Sequence, residues 1–158
     1  YMDNASHCVD LLRFLFGEIV AVSAFVDTLA ASYPVEDTAT SILRLANGAH
    51  AVVTSYWSTE DPDENRSSLL EIAGTDGIIV ATPLHDKFSR GQLTVDSRAG
   101  QQSFRFDEST HVAVLEEFAG ALAEGRSPSI TAADGIAALR VVEAVYESSR
   151  TGKTINFS

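Results

Sequence analysis

DTATSILRLANGAHAVVTSYWS, residues Asp37–Ser58, consists of two β-prone runs joined by Asn47-Gly48. Asn-Gly readily takes the positive φ that a tight hairpin turn requires, so the two runs fold back on each other as antiparallel strands. Along the first run, Ser41, Leu43 and Leu45 alternate with Thr40, Ile42 and Arg44. Successive strand side chains point to opposite faces. One face therefore offers Leu43 and Leu45 to a core, and the other carries Ile42 between polar neighbours. That second face is only partly polar, which argues for association of copies through it.

The same texture extends outward. Glu18–Ala31, EIVAVSAFVDTLAA, reads as a strand rich in Val and Phe. SSLLEIAG and GIIVAT flank Thr75-Asp76, and GQLTVDS and QQSFRFD flank Ala99-Gly100, which makes two more hairpins. Helical periodicity takes over at both ends. From Asn4 to Phe16 a stripe of Val9, Leu12, Phe14, Leu15 and Phe16 stops at Gly17, with Asp3 placed to cap the helix. THVAVLEEFAGALAEG puts Val112, Leu115, Phe118, Ala119 and Leu122 on one helix face, ended by Gly125. TAADGIAALRVVEAVYESSRTG opens with a capping-box pair, Thr131 and Asp134. Its stripe runs Ile136, Leu139, Val142, Val145 and Tyr146 to Gly152, and TINFS follows as a short strand. A helix, a run of hairpins and two helices predict an α+β fold: an open, mostly antiparallel sheet with helices packed on one face. No linker or repeat interrupts it, so residues 1–158 are expected to form one domain.

Composition narrows the function. Of 158 residues, 45% are apolar, enough for a core, and 11 basic against 22 acidic residues give a net charge of −11. That balance opposes binding to a phosphate backbone, so nucleic acid is not an expected partner. No apolar run is long enough to span a bilayer, and the expected location is the cytoplasm. Cys8 is the only cysteine and sits in a helical pattern, where a small buried apolar side chain is the simpler role than a nucleophile.

The residues able to carry chemistry cluster at the start. Asp3 and His7 are four apart, which on a helix places them on one face with Cβ atoms about 5–6 Å apart. A neighbouring carboxylate raises imidazole basicity, and such a histidine can take the proton of an alcohol as its carbon loses hydride. The competing reading is that Asp3 only caps the helix and His7 is an ordinary partly buried residue. Asp10 is close enough to join them, but no fourth metal ligand can be named, and no metal site is expected. His50, His85 and His111 each stand alone. Trp57 could line a pocket or pack on the sheet, and Arg66 could meet a polar substrate or simply be a solvated loop charge. The dinucleotide, P-loop, nucleophile-elbow and C-x-x-C motifs are all absent.

Four segments, taken in order, resemble one known family. MDNASHCVDLLRFLFGEI is similar to the D-x-x-x-H-x-x-D-x-x-x-x-x-x-G segment of the Gfo/Idh/MocA oxidoreductases, the glucose–fructose oxidoreductase and inositol dehydrogenase family. LRLANGAHAVVTSYW resembles its hairpin, LEIAGTDGIIV its E-I-x-G-T-x-G turn, and Phe118–Phe157 its closing helix pair. The resemblance implies a two-domain enzyme of which this chain is the second part, a substrate-binding and oligomerisation domain. The NAD(P)-binding Rossmann domain, roughly 120–150 residues, is then expected upstream of a truncated or proteolysed Tyr1. It also implies that Asp3 and His7 are the catalytic pair and that Asn4 touches substrate, with Arg66 as a looser candidate. A catalytic Lys of an E-K-P motif and all NAD or NADP contacts would lie in the first domain. The expected function is hydride transfer from a sugar, inositol or related polyol, by a homo-oligomer joined through the open sheet face, with this piece inactive alone. The alternative is a non-catalytic ligand-binding, regulatory or dimerisation domain of the same fold.

Overall fold

A computed structural model of the chain describes residues 1–57, 69–83, 91–106 and 110–157. The described residues are α+β, with three helices and antiparallel sheets among them. The chain divides into two compact units, Tyr1–Thr59 with Ile130–Ser158, and Glu60–Ser129.

The first unit holds α1 (Asn4–Phe16), β1 (Ile19–Asp27), β2 (Thr38–Leu45), β3 (His50–Tyr56), α3 (Ala132–Thr151) and β8 (Ile155–Asn156). Its four-stranded sheet has the order β3-β2-β1-β8, antiparallel throughout. The Asn47-Gly48 hairpin forms as expected. Gly48 takes φ +90°, and the Asn47 side-chain oxygen accepts from the Ala49 N–H at 2.9 Å. Alternation along β2 is strict: Ala39, Ser41, Leu43 and Leu45 are buried, while Thr40, Ile42 and Arg44 are exposed. The buried face packs with Val22 of β1 and Val53 of β3 against Ala5, Val9 and Leu12 of α1 and Val141, Val142 and Val145 of α3. Helices therefore cover one sheet face, and the other bears Phe25, Ile42, Val52 and Tyr56, all largely exposed.

Two side chains of α3 complete β1. The short β8 pairs with β1 only at Ala21 and Val22. Beyond it, the Ala24 N–H donates to Ser148 Oγ at 3.0 Å and the Val26 N–H to Ser149 Oγ at 2.8 Å. Ser148 in turn donates to the Lys153 carbonyl at 2.7 Å. Arg13 fixes the end of α1 to the start of α3, donating to Glu18 at 2.8 Å and to the Asp134 carbonyl at 3.1 Å.

The second unit holds β4 (Leu70–Ala73), β5 (Gly77–Thr82), β6 (Gly91–Ser97), β7 (Gly100–Phe106) and α2 (Thr110–Glu124). The strands form an antiparallel meander in sequence order. Gly77 is required where β5 meets β6, since a Cβ there would sit 2.1 Å from the Asp96 carbonyl oxygen.

The strands pair as two four-stranded antiparallel sheets, and among the described residues β4–β7 bond only with one another. Two local expectations are corrected. The buried stripe of α3 is Ala138, Val141, Val142 and Val145, a clean i, i+3, i+4, i+7 pattern. It is rotated from the expected stripe, so Ile136 and Leu139 are about half exposed. The expected apolar face of α2 is also exposed at Val112, Leu115, Phe118 and Leu122, with Ala121 buried instead.

Candidate functional site

The start of α1 borders a pocket of about 370 Å³. Asp3 and Asn4 line it from the helix, Trp57 and Ser55 from the end of β3, and Tyr33 and Glu36 from the connection between β1 and β2. Tyr146 of α3 also lines it. The volume falls at the lower end of small-molecule sites, roughly 300–1,000 Å³.

The pocket wall is held by buried hydrogen bonds. Asp37 is almost fully buried and its carboxylate accepts from the N–H groups of Leu29, Ala30 and Ala31 at 2.6–2.9 Å. Those backbone donors, Leu29 first, hold its carboxyl well below the usual carboxylate range. The Asp37 carbonyl accepts from the Trp57 N–H at 2.8 Å, which ties Trp57 to the same loop.

Glu36 is the second anchor. Its Oε1 accepts from the Tyr146 hydroxyl and from the nitrogen of Tyr1, each at 2.5 Å. Burial opposes its ionisation, and the hydrogen bond from Tyr146 favours it. Tyr146 also accepts from the Met2 N–H at 3.2 Å, so one phenol links the start of α1 to the β1–β2 connection. Burial, and then the Glu36 carboxylate, push that phenol up to about 12. Below the helix start, the buried Tyr1 hydroxyl lies 2.7 Å from Ser41 Oγ, and burial raises its pKa to about 12 as well.

The residues expected from sequence are distributed as follows. Asp3, Asn4 and Trp57 come together at the pocket, and Trp57 is 60% exposed and open to a ligand. His7 lies one turn further along α1, exposed, and is not among the described lining residues. Arg66 and His85 lie outside the described residues. The expected cap by Asp3 is corrected: it occupies the N-cap position without a side-chain cap bond, and its carbonyl instead accepts from Ser6 Oγ at 2.8 Å. Its backbone is already helical there, with φ −75° and ψ −75°, whereas a capping side chain needs an extended residue. Cys8 is half-buried against the core, and burial raises its thiol pKa, which disfavours the nucleophilic thiolate.

Glu36, Tyr33 and Tyr146 were not expected at the site. Glu36 and Tyr146 are 110 positions apart, and no local pattern joins them. Among the described residues no cluster of three or more His, Cys, Asp or Glu is placed to hold a metal ion.

Three comparisons bear on this arrangement. Residues 1–157 match the family model described as the oxidoreductase family, C-terminal alpha/beta domain. The chain is 27% identical over 164 residues to a D-apiose dehydrogenase of Rhizobium rhizogenes, covering 98% of this chain and 47% of that protein. It is 27% identical over 158 residues to a D-xylose 1-dehydrogenase (NADP(+)) of Haloferax volcanii, covering 98% and 46%. Among solved structures, an oxidoreductase of Agrobacterium radiobacter in complex with NAD+, L-tartaric acid and magnesium superposes with a TM-score of 0.81. The identity there is 26%, over 98% of this chain and 48% of that one. The chain thus spans about half the length of the curated relatives it matches.

Proposed function

The chain belongs to the Gfo/Idh/MocA oxidoreductase family as its C-terminal α/β domain, and from that premise we propose that it is the substrate-binding domain of an NAD(P)-dependent dehydrogenase acting on a sugar or related polyol. The observation that carries the reading is the pocket at the start of α1, where Asp3, Asn4 and Trp57 meet. An aromatic face beside a carboxylate and an amide suits a sugar, whose C–H face packs on the ring while its hydroxyls hydrogen-bond.

In this reading His7, one turn along α1, accepts the proton of the substrate hydroxyl, and Asp3 raises its basicity and orients it. Asn4 and Trp57 fix the sugar so that one carbinol faces His7, and Arg66 is a further candidate contact. Nicotinamide supplies the hydride acceptor when bound. No residue of this chain is assigned to it, because the sequence carries no glycine-rich phosphate cradle. The cofactor then falls to a separate N-terminal domain, and residues 1–158 alone are inactive. Copies associate through the open face of Phe25, Ile42, Val52 and Tyr56, and the protein works in the cytoplasm. No described helix is long and apolar enough to cross a membrane.

One observation favours the second reading, a non-catalytic ligand-binding or regulatory domain: His7 is not among the described residues lining the pocket. Turnover separates the two. In the complete protein, His7→Ala should lower kcat for D-xylose or D-apiose by about 10²–10⁴ while cofactor affinity is kept, the usual worth of a positioned general base. Unchanged kcat in His7→Ala, with the parent active, would remove His7 from the mechanism.

A further inference from the structure

The pocket wall is acidic and aromatic. Asp3, Glu36 and Asp37 line it together with Trp57, Tyr33 and Tyr146, and the described lining residues include no Lys, Arg or His. The three carboxylates differ in what they can offer. Asp37 is buried and saturated by the backbone of its own loop, so it acts as scaffold. Asp3 is exposed at the mouth. Glu36 is partly buried and held from two directions, by Tyr146 and by the start of α1.

Both described hydrogen bonds of Glu36 fall on Oε1, which leaves Oε2 with its acceptor capacity. A sugar hydroxyl can donate to such an oxygen. A carboxylate or phosphate cannot, and it would meet like charge. The Tyr146 hydroxyl donates to Glu36 Oε1 and so favours the ionised carboxylate.

We propose that this pocket selects uncharged sugars over sugar acids, and that Glu36, fixed by Tyr146, is the specificity-determining negative charge. The inference rests on the sugar-oxidoreductase reading above and adds the charge class of the substrate. Asp3 contributes to the same field but belongs to the proposed proton-transfer pair, so the selectivity is best read at Glu36.

The test uses the complete protein and three pyranoses that share one ring and differ in its C5 substituent: D-xylose, D-glucose and D-glucuronate. For each, kcat/KM is measured with NAD+ and with NADP+, and the dissociation constant by titration calorimetry. D-glucose should exceed D-glucuronate at least about tenfold in kcat/KM or affinity, although the two differ little in size. Glu36→Gln keeps an acceptor for the Tyr146 hydroxyl and removes the charge. It should narrow the glucose-to-glucuronate ratio about three- to tenfold, the effect of one partly screened charge near a bound carboxylate. Glu36→Asp, which keeps the charge, should keep most of the discrimination. Circular dichroism and the melting temperature confirm that each variant folds.

Glucuronate used as well as glucose by the parent, or a ratio untouched by Glu36→Gln, overturns the assignment and leaves the sugar-oxidoreductase reading standing. Failure of all three sugars both to bind and to be oxidised overturns that reading and this inference with it.

Discussion

Replacing Leu43 and Ile42 by alanine, one at a time, tests the layer arrangement from which the site is built. The two residues are adjacent in β2 and face opposite ways: Leu43 is fully buried under α1 and α3, and Ile42 is 56% exposed. Leu43→Ala removes a side chain from a region sealed by Val9, Val22 and Val142, where little collapse is possible. Leu→Ala costs at such sites run from about 2.7 to 5 kcal/mol, and about 3 kcal/mol is expected here. With a urea slope of roughly 2 kcal/mol/M, the unfolding midpoint should fall by about 1.5 M. Ile42→Ala gives up less burial and leaves no cavity, so its cost should stay below about 1 kcal/mol in dilute solution. The assay is urea unfolding followed by circular dichroism at two protein concentrations a hundredfold apart. If copies associate through the open face, Ile42→Ala should also weaken the dependence of the midpoint on concentration, while Leu43→Ala should not. Equal costs at low concentration, or a larger one at Ile42, would show that the alternation of β2 has been assigned to the wrong face.

Three other outcomes follow from the same geometry. The Tyr1 and Tyr146 phenols titrate near 12 in the folded chain and near 10 in the unfolded one, so their contribution is complete below pH 10 and is lost as pH rises toward 12. Alkaline unfolding monitored by tyrosinate absorbance should therefore be cooperative with the loss of helix, and ionisation of all tyrosines near pH 10 without unfolding would contradict it. Ser148→Ala leaves the Ala24 N–H and the Lys153 carbonyl without their partner and should cost about 1–3 kcal/mol by thermal unfolding. Ser149→Ala, at a wetter position, should cost less. Trp57→Ala should raise KM for a sugar about fivefold, for a loss near 1 kcal/mol of ring contact, with the melting temperature little changed; a large drop in melting temperature would make Trp57 a core residue.

Local signals carried much of the architecture. Gly17 ends α1 where periodicity placed its stop, with φ +89°. Asp134 reaches back to the Thr131 N–H at 2.8 Å and its hydroxyl at 2.7 Å, as the capping-box spacing implied. The Asn47-Gly48 turn set the register of β2 on β3. Pairing between distant segments was less legible. Nothing near Ile155 says that it completes the β1 edge, and nothing near Tyr146 says that it meets Glu36. The phase of α3 was misjudged because Ala138 and Ala144 are small enough to pack closely, while the larger Ile136 and Leu139 drew the stripe toward themselves. Among the residues lining the pocket, a motif or a conspicuous residue type marks Asp3, Asn4 and Trp57 in the sequence. Glu36 lies in an unremarkable loop, and its place at the pocket comes only from what the fold sets beside it.

The serine hydroxyls of α3 along β1 have a consequence for crowded solutions. A sheet that recruits further chains grows by presenting unsatisfied N–H groups at its rim, and endless growth needs two such rims. In the first unit β8 and α3 occupy the β1 side, so Ala24 and Val26 offer no donors to an incoming strand. Within this sheet, strand addition is left to the far side, along β3. The serine hydroxyls thus blunt one rim, so that the sheet of the first unit cannot be extended from both sides at once.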